Sequence, residues 1–126
     1  MKLYFTTEEK KAVLSLAIAM ECIDGVTRYS ESCAIVEEAL KMGLDPINTF
    51  EDCSSIKPND AIGCVSQMSF EKKKYVSSLL YKVMVIDGQI HPSETSLLFV
   101  ISEKAGLPKM MSPTEINQYL QSVDID

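Results

Sequence analysis

The chain has no tryptophan, a single histidine, five glycines, five prolines and an aromatic content of 7%. Each shortage removes a class of function. A nucleophile–His–acid site needs its imidazole beside an activated Ser or Cys, and His91 has no Gly-x-Ser-x-Gly or reactive-cysteine context. The glycines stand singly at 25, 43, 63, 88 and 106, so neither a phosphate-binding loop nor a dinucleotide fingerprint exists. Basic charge is short as well. Twelve Lys+Arg against eighteen Asp+Glu leave a net charge of −6, which repels nucleic acid and anionic membranes. Long apolar runs are missing: Leu97–Ile101 is too short for a bilayer, and Ser15 interrupts Leu14–Met20. Residues 1–9 turn acidic at once and lack the apolar region of a signal peptide. The expectation is a cytoplasmic, non-catalytic protein with no nucleic-acid partner and no membrane insertion.

Cys22, Cys33, Cys53 and Cys64 form C-x10-C-x19-C-x10-C. The pattern has no Cys-x2-Cys pair and no second histidine, so it does not describe a closed zinc site. Without an export signal these residues read as free thiols serving as small hydrophobes.

What is present is an ordinary globular mixture, 46% hydrophobic and 24% charged over 126 residues, enough for one domain with a real core. Shifted by 63 residues, the chain matches itself without a gap. Residues 8–44 and 71–107 share Glu8/Glu71, Lys10/Lys73, Lys11/Lys74, Val13/Val76, Ser15/Ser78, Leu16/Leu79 and Ile23/Ile86. They also share Asp24/Asp87, Gly25/Gly88, Ser30/Ser93, Glu31/Glu94, Lys41/Lys104, Gly43/Gly106 and Leu44/Leu107. These fourteen identities exceed the roughly two or three that average composition supplies over such a length.

Each copy reads as helix, short loop, helix. Val13, Leu16, Ala17 and Met20, like Val76, Leu79, Leu80 and Val83, recur at i, i+3, i+4, i+7. Asp24-Gly25 and Asp87-Gly88 break the first helices, and second helices start near Tyr29 and Pro92 with Glu31 or Glu94 placed to cap them. Gly43 and Gly106 end them as left-handed caps. Asp45-Pro46 starts a short helix, and Ser112-Pro113-Thr114-Glu115 is a capping box for a last one. Residues 51–69 are the least periodic, with a turn at Pro58-Asn59-Asp60 and one turn-rich helix over 60–67. No strand alternation is evident, and the tail 122–126 reads as frayed. The chain is therefore expected to be all-α, one multihelical domain over 1–126. Repeat 1 covers about 8–44, a connection 45–69, repeat 2 about 70–107, and a C-terminal helix about 113–123.

The second copy resembles the tellurite-resistance TerB-like family. The resemblance rests on Val85-Ile86-Asp87-Gly88-Gln89-Ile90-His91-Pro92-Ser93-Glu94, closed by Lys104-Ala105-Gly106-Leu107-Pro108, and covers roughly residues 8–120. His91 stands where many relatives place a Ser cap, and Thr27-Arg28-Tyr29 departs from the pattern in the first copy. The resemblance implies a helical domain of two related halves and a role in tellurite or other stress responses; divalent-metal binding has been proposed for some members.

Four carboxylates recur at matched helix ends: Asp24, Glu31, Asp87 and Glu94. Acids so repeated are candidate ligands for a hard divalent cation of Ca or Mg type. Local capping is the competing reading, with Asp as an Asx turn and Glu at a helix start. An EF-hand is excluded, because Val83 and Val85 occupy the places of its first ligands. Lys72-Lys73-Lys74 reads as a solvated helix start. Six methionines (20, 42, 68, 84, 110, 111) read as core filling, with Met110-Met111 a possible apolar contact for an unknown protein partner.

Overall fold

A computed structural model describes residues 2–23, 29–86, 91–108 and 112–125, with the backbone alone at 29–32 and 54. Seven helices are present among the described residues: α1 (Thr7–Cys22), α2 (Tyr29–Lys41), α3 (Pro46–Ser54), α4 (Pro58–Ser66), α5 (Phe70–Val85), α6 (Pro92–Ala105) and α7 (Pro113–Ser122). Two short strands, β1 (Lys2–Leu3) and β2 (Asp124–Ile125), complete an all-α single domain.

The helix starts follow from local chemistry. Thr6 caps α1 in a reciprocal box: its hydroxyl accepts from Glu9 N at 3.1 Å, and Glu9 Oε1 accepts from Thr6 N at 2.9 Å. Ser69, Asp45 and Ser112 cap α5, α3 and α7 with their side-chain oxygens. Proline fills the first position of α3, α4, α6 and α7, where its missing N–H costs nothing. Pro58, expected in a turn, is therefore the first residue of a complete helix. The connection 45–69 holds two helices, as the sequence suggested, with the second starting at Pro58 rather than near 60.

Helices α1 and α5 are each 16 residues long and begin 63 residues apart, as α2 and α6 do. Gly43 (φ 78°) and Gly106 (φ 70°) occupy the left-handed region that a side chain strains. Beyond them Leu44 N donates to Ala39 O (2.9 Å) and Leu107 N to Ser102 O (3.1 Å), the reversed bonds of a glycine-capped helix end. The Asp-Gly loops themselves lie outside the described residues.

The core lies between α1 and α5, which pack on each other. Val13, Leu16, Ala17 and Met20 of α1, and Val76, Leu79, Leu80 and Val83 of α5, are all fully buried. Around them α2 and α3 lean on α1, and α6 and α7 on α5. Helix α4 has no such symmetric role. Ala61, Ile62 and Val65 form its buried face, which spans α1 and α6.

The tail is ordered, contrary to its frayed reading. β1 and β2 pair in parallel, Lys2 opposite Asp124 and Leu3 opposite Ile125. Leu3, Phe5, Val123 and Ile125 are buried while Lys2, Tyr4 and Asp124 face out, a period of two too short to register in sequence.

Candidate functional site

Lys10, Lys11, Lys73 and Lys74, shared by the two copies, have structural partners. Lys10 Nζ donates to Met42 O at 2.8 Å, at the C-terminal end of α2, where the helix dipole and free carbonyls favour a cation. Lys73 holds the matching place at the end of α6: its Nζ lies 3.4 Å from where a Cβ on Gly106 would sit. Lys11 pairs with Asp52 of α3 at 3.2 Å, and Lys74 sits 4.6 Å above the Tyr119 ring of α7. Lys72 pairs with Glu9 at 2.9 Å and lies 5.4 Å over the Phe5 ring. The lysine run is thus half-buried and engaged, where the sequence suggested a solvated start.

That pair also sets the Glu9 carboxyl. Burial raises its pKa, but the Thr6 N–H and the Lys72 ammonium outweigh burial and hold it below the usual carboxylate value.

The proposed cation ligands are placed as follows. Asp24 and Asp87 lie outside the described residues, as does the side chain of Glu31. Glu94 is described: it is the third residue of α6 and 0% exposed. Among the described residues no three His, Cys, Asp or Glu side chains come together in a way that could hold a metal ion.

All four cysteines are free thiols, but Cys22 is exposed, not a core residue. Cys53 Sγ donates to Lys11 O at 3.4 Å, and Cys22 lies eleven residues further along α1, roughly 16 Å of helix rise. The two cannot bridge. Burial pushes the Cys53 thiol up to about 11, with Lys11 opposing the rise and Asp52 adding to it. In the native protein at pH 8, iodoacetamide is expected to label Cys22 first and Cys53 last, a difference that unfolding abolishes. Peptide mass spectrometry reads the order; early Cys53 labelling would contradict its burial.

Two concavities flank α5. The first is apolar, about 360 Å³, and open to solvent. Met84 of α5 and Leu98 of α6 form its wall, Leu107 and Pro108 its far side. Phe99 stands at the mouth, 64% exposed. Thr95 and Ser102 supply the polar edge, but Ser102 O is already taken by Gly106 N and Leu107 N. Among the described residues α3 packs on α2, whereas α7 packs mainly on α5 rather than on α6. Met110 and Met111, the apolar contact that the sequence suggested, lie outside the described residues.

The second concavity is polar, about 240 Å³, between α2, α5 and α7. Beneath it the buried Tyr75 hydroxyl donates to Glu38 Oε2, and Glu38 is itself only 4% exposed. The Tyr75 ring is tilted 55° against Phe5, with centroids 5.5 Å apart. Burial, then the Glu38 charge and its hydrogen bond, push the Tyr75 phenol far above its ordinary value. Lys41 Nζ donates to Leu120 O at 2.7 Å and lies 5.9 Å from the Tyr75 ring. No motif announced this network, because its members are 37 and 79 residues apart.

The fold and its open apolar groove define a small all-helical domain, and no helix among the described residues is long and apolar enough to cross a membrane. No family model and no curated protein matches the chain. A crystal structure of a protein of unknown function from Porphyromonas gingivalis W83 is similar, with a TM-score of 0.78 and 28% sequence identity. The match covers 94% of this chain and 98% of that one.

Proposed function

We propose that this chain is a non-catalytic, cytoplasmic, TerB-like protein-interaction domain of duplicated helical hairpins, acting in a tellurite or stress response. The observation that carries the interaction reading is the groove on α6, open among the described residues, with Phe99 exposed beside Met84, Leu98, Leu107 and Pro108. Contiguous apolar surface of this kind is costly to leave in water and suits a partner's side chain. The internal engagement of the lysine run fits a protein partner better than nucleic acid.

The test is a partner isolated from native cells, then reconstituted with purified components. Phe99→Ser is expected to weaken that complex at least about 10-fold while changing stability by less than about 0.5 kcal/mol. Equal affinity of the wild type and the variant would remove the groove from the interaction.

A divalent-cation module is the second reading, favoured by the full burial of Glu94, seven residues after Asp87 in the sequence. Calorimetric titration with Ca²⁺ and Mg²⁺ separates the two. The interaction reading expects no heat, whereas heat lost in both Asp87→Asn and Glu94→Gln establishes the cation site.

A further inference from the structure

The polar cleft between α2, α5 and α7 is built differently from a chance surface dent. Glu38 is almost wholly buried, and its carboxylate is oriented from below by Tyr75. Tyr75 in turn packs against the Phe5 ring and has the Lys41 ammonium 5.9 Å from its ring centroid. Lys41 is anchored on Leu120 O. A carboxylate held this way costs little further ordering when it binds, which is the main requirement of a specific polar site.

The other walls carry complementary groups. Lys82 brings an ammonium from α5, Glu37 a second carboxylate from α2, and Asn117 and Gln121 two amides one turn apart on α7. Among the described residues no ion pair joins Glu37 or Glu38 to Lys41 or Lys82. Opposite charges on neighbouring helices therefore face one cavity without satisfying each other.

That charge pattern selects a ligand class. A divalent cation meets two ammonium groups, and a phosphate or plain carboxylate meets two carboxylates; each leaves like charges opposed. A ligand that is neutral overall but carries separated charges satisfies both sets. The volume, about 240 Å³, lies below the usual range for drug-sized ligands and admits only a small molecule.

We propose that this cleft binds a small zwitterion of the amino-acid class, its ammonium on Glu38 and Glu37 and its carboxylate on Lys82, Asn117 and Gln121. The cleft is separate from the α6 groove, so this site stands or falls independently of the protein-interaction reading.

The test is ligand-observed NMR on the full chain against a panel of proteinogenic amino acids, with acetate and ethylamine as single-charge probes. At least one amino acid is expected to bind with Kd at or below about 1 mM, and the single-charge probes at least about 10-fold more weakly. Lys82→Met is expected to weaken binding at least about 10-fold. Glu38→Gln, which keeps an acceptor for the Tyr75 hydroxyl and so spares the fold, is expected to do the same. No amino acid binding at about 10 mM would overturn the proposal. Affinity unchanged in Lys82→Met, or acetate binding as tightly as any amino acid, would overturn it equally.

Discussion

Phe5→Ala is expected to destabilise the protein by about 3–4 kcal/mol, the cost of emptying a large aromatic site in a packed core. Phe5 is only 5% exposed and lies outside every helix. Its ring rests against Tyr75 and carries the Lys72 ammonium on its face, so one side chain ties the N-terminal segment to α5. Leu3 and Ile125 bury beside each other through the β1–β2 pair, and the loss of Phe5 loosens that clasp as well. Tyr4, which faces solvent, is the control: Tyr4→Ala is expected to cost less than about 0.5 kcal/mol. Urea unfolding of both variants makes the comparison. A Phe5→Ala cost below about 1 kcal/mol would mean that the segment before α1 is not docked in solution.

Tyr75→Phe is expected to cost about 2–3 kcal/mol, although it removes a single oxygen. The buried Glu38 carboxylate loses its hydroxyl donor, and an unmet charge inside a protein costs more than an average hydrogen bond contributes. Removing the charge as well reverses most of the loss. The double variant Tyr75→Phe with Glu38→Met is expected to regain at least about 1 kcal/mol over Tyr75→Phe alone. Recovery of nothing would show that the damage is packing rather than an orphaned carboxylate.

The same phenol sets an alkaline limit. Its folded pKa is raised, so the folded state keeps a proton that the unfolded chain releases near pH 10. Stability is therefore full below about pH 10 and falls as pH rises further. Tyr119, raised to about 12 by burial and by Glu71, contributes in the same direction between those values. Tyr75→Phe is expected to flatten the decline in stability above pH 10 without abolishing it, as followed by unfolding at a series of alkaline pH values.

Much of the helical plan was legible along the chain. The i, i+3, i+4, i+7 spacing marked α1 and α5, Ser112-Pro113-Thr114-Glu115 marked α7, and Gly43 and Gly106 marked two helix ends, because caps and amphipathic faces are short-range. Helix α4 was half-read. Its core face is only Ala61, Ile62 and Val65, and Pro58 signals a turn as readily as a helix start. The Thr6–Glu9 box went unread in a stretch noted only for turning acidic at once. Of the four acids chosen as ligands, Glu94 alone has a described side chain, and its full burial could not be inferred from spacing.

Helical periodicity and capping residues determined the all-α class before any contact was known. Those properties depend on residue type and near neighbours, which a linear reading contains. The two concavities beside α5 were decided by packing. The groove lies where Met84 of α5 meets Leu98 and Phe99 of α6, with α7 packed on α5. The polar cleft exists because Glu38, Tyr75 and Leu120, distant in sequence, meet across three helices. The −6 net charge gave no warning that Lys10, Lys11, Lys73 and Lys74 are placed against the end of α2, α3, the end of α6 and α7. A side chain's role follows from the partner that folding brings to it, and that partner is a property of the assembled chain.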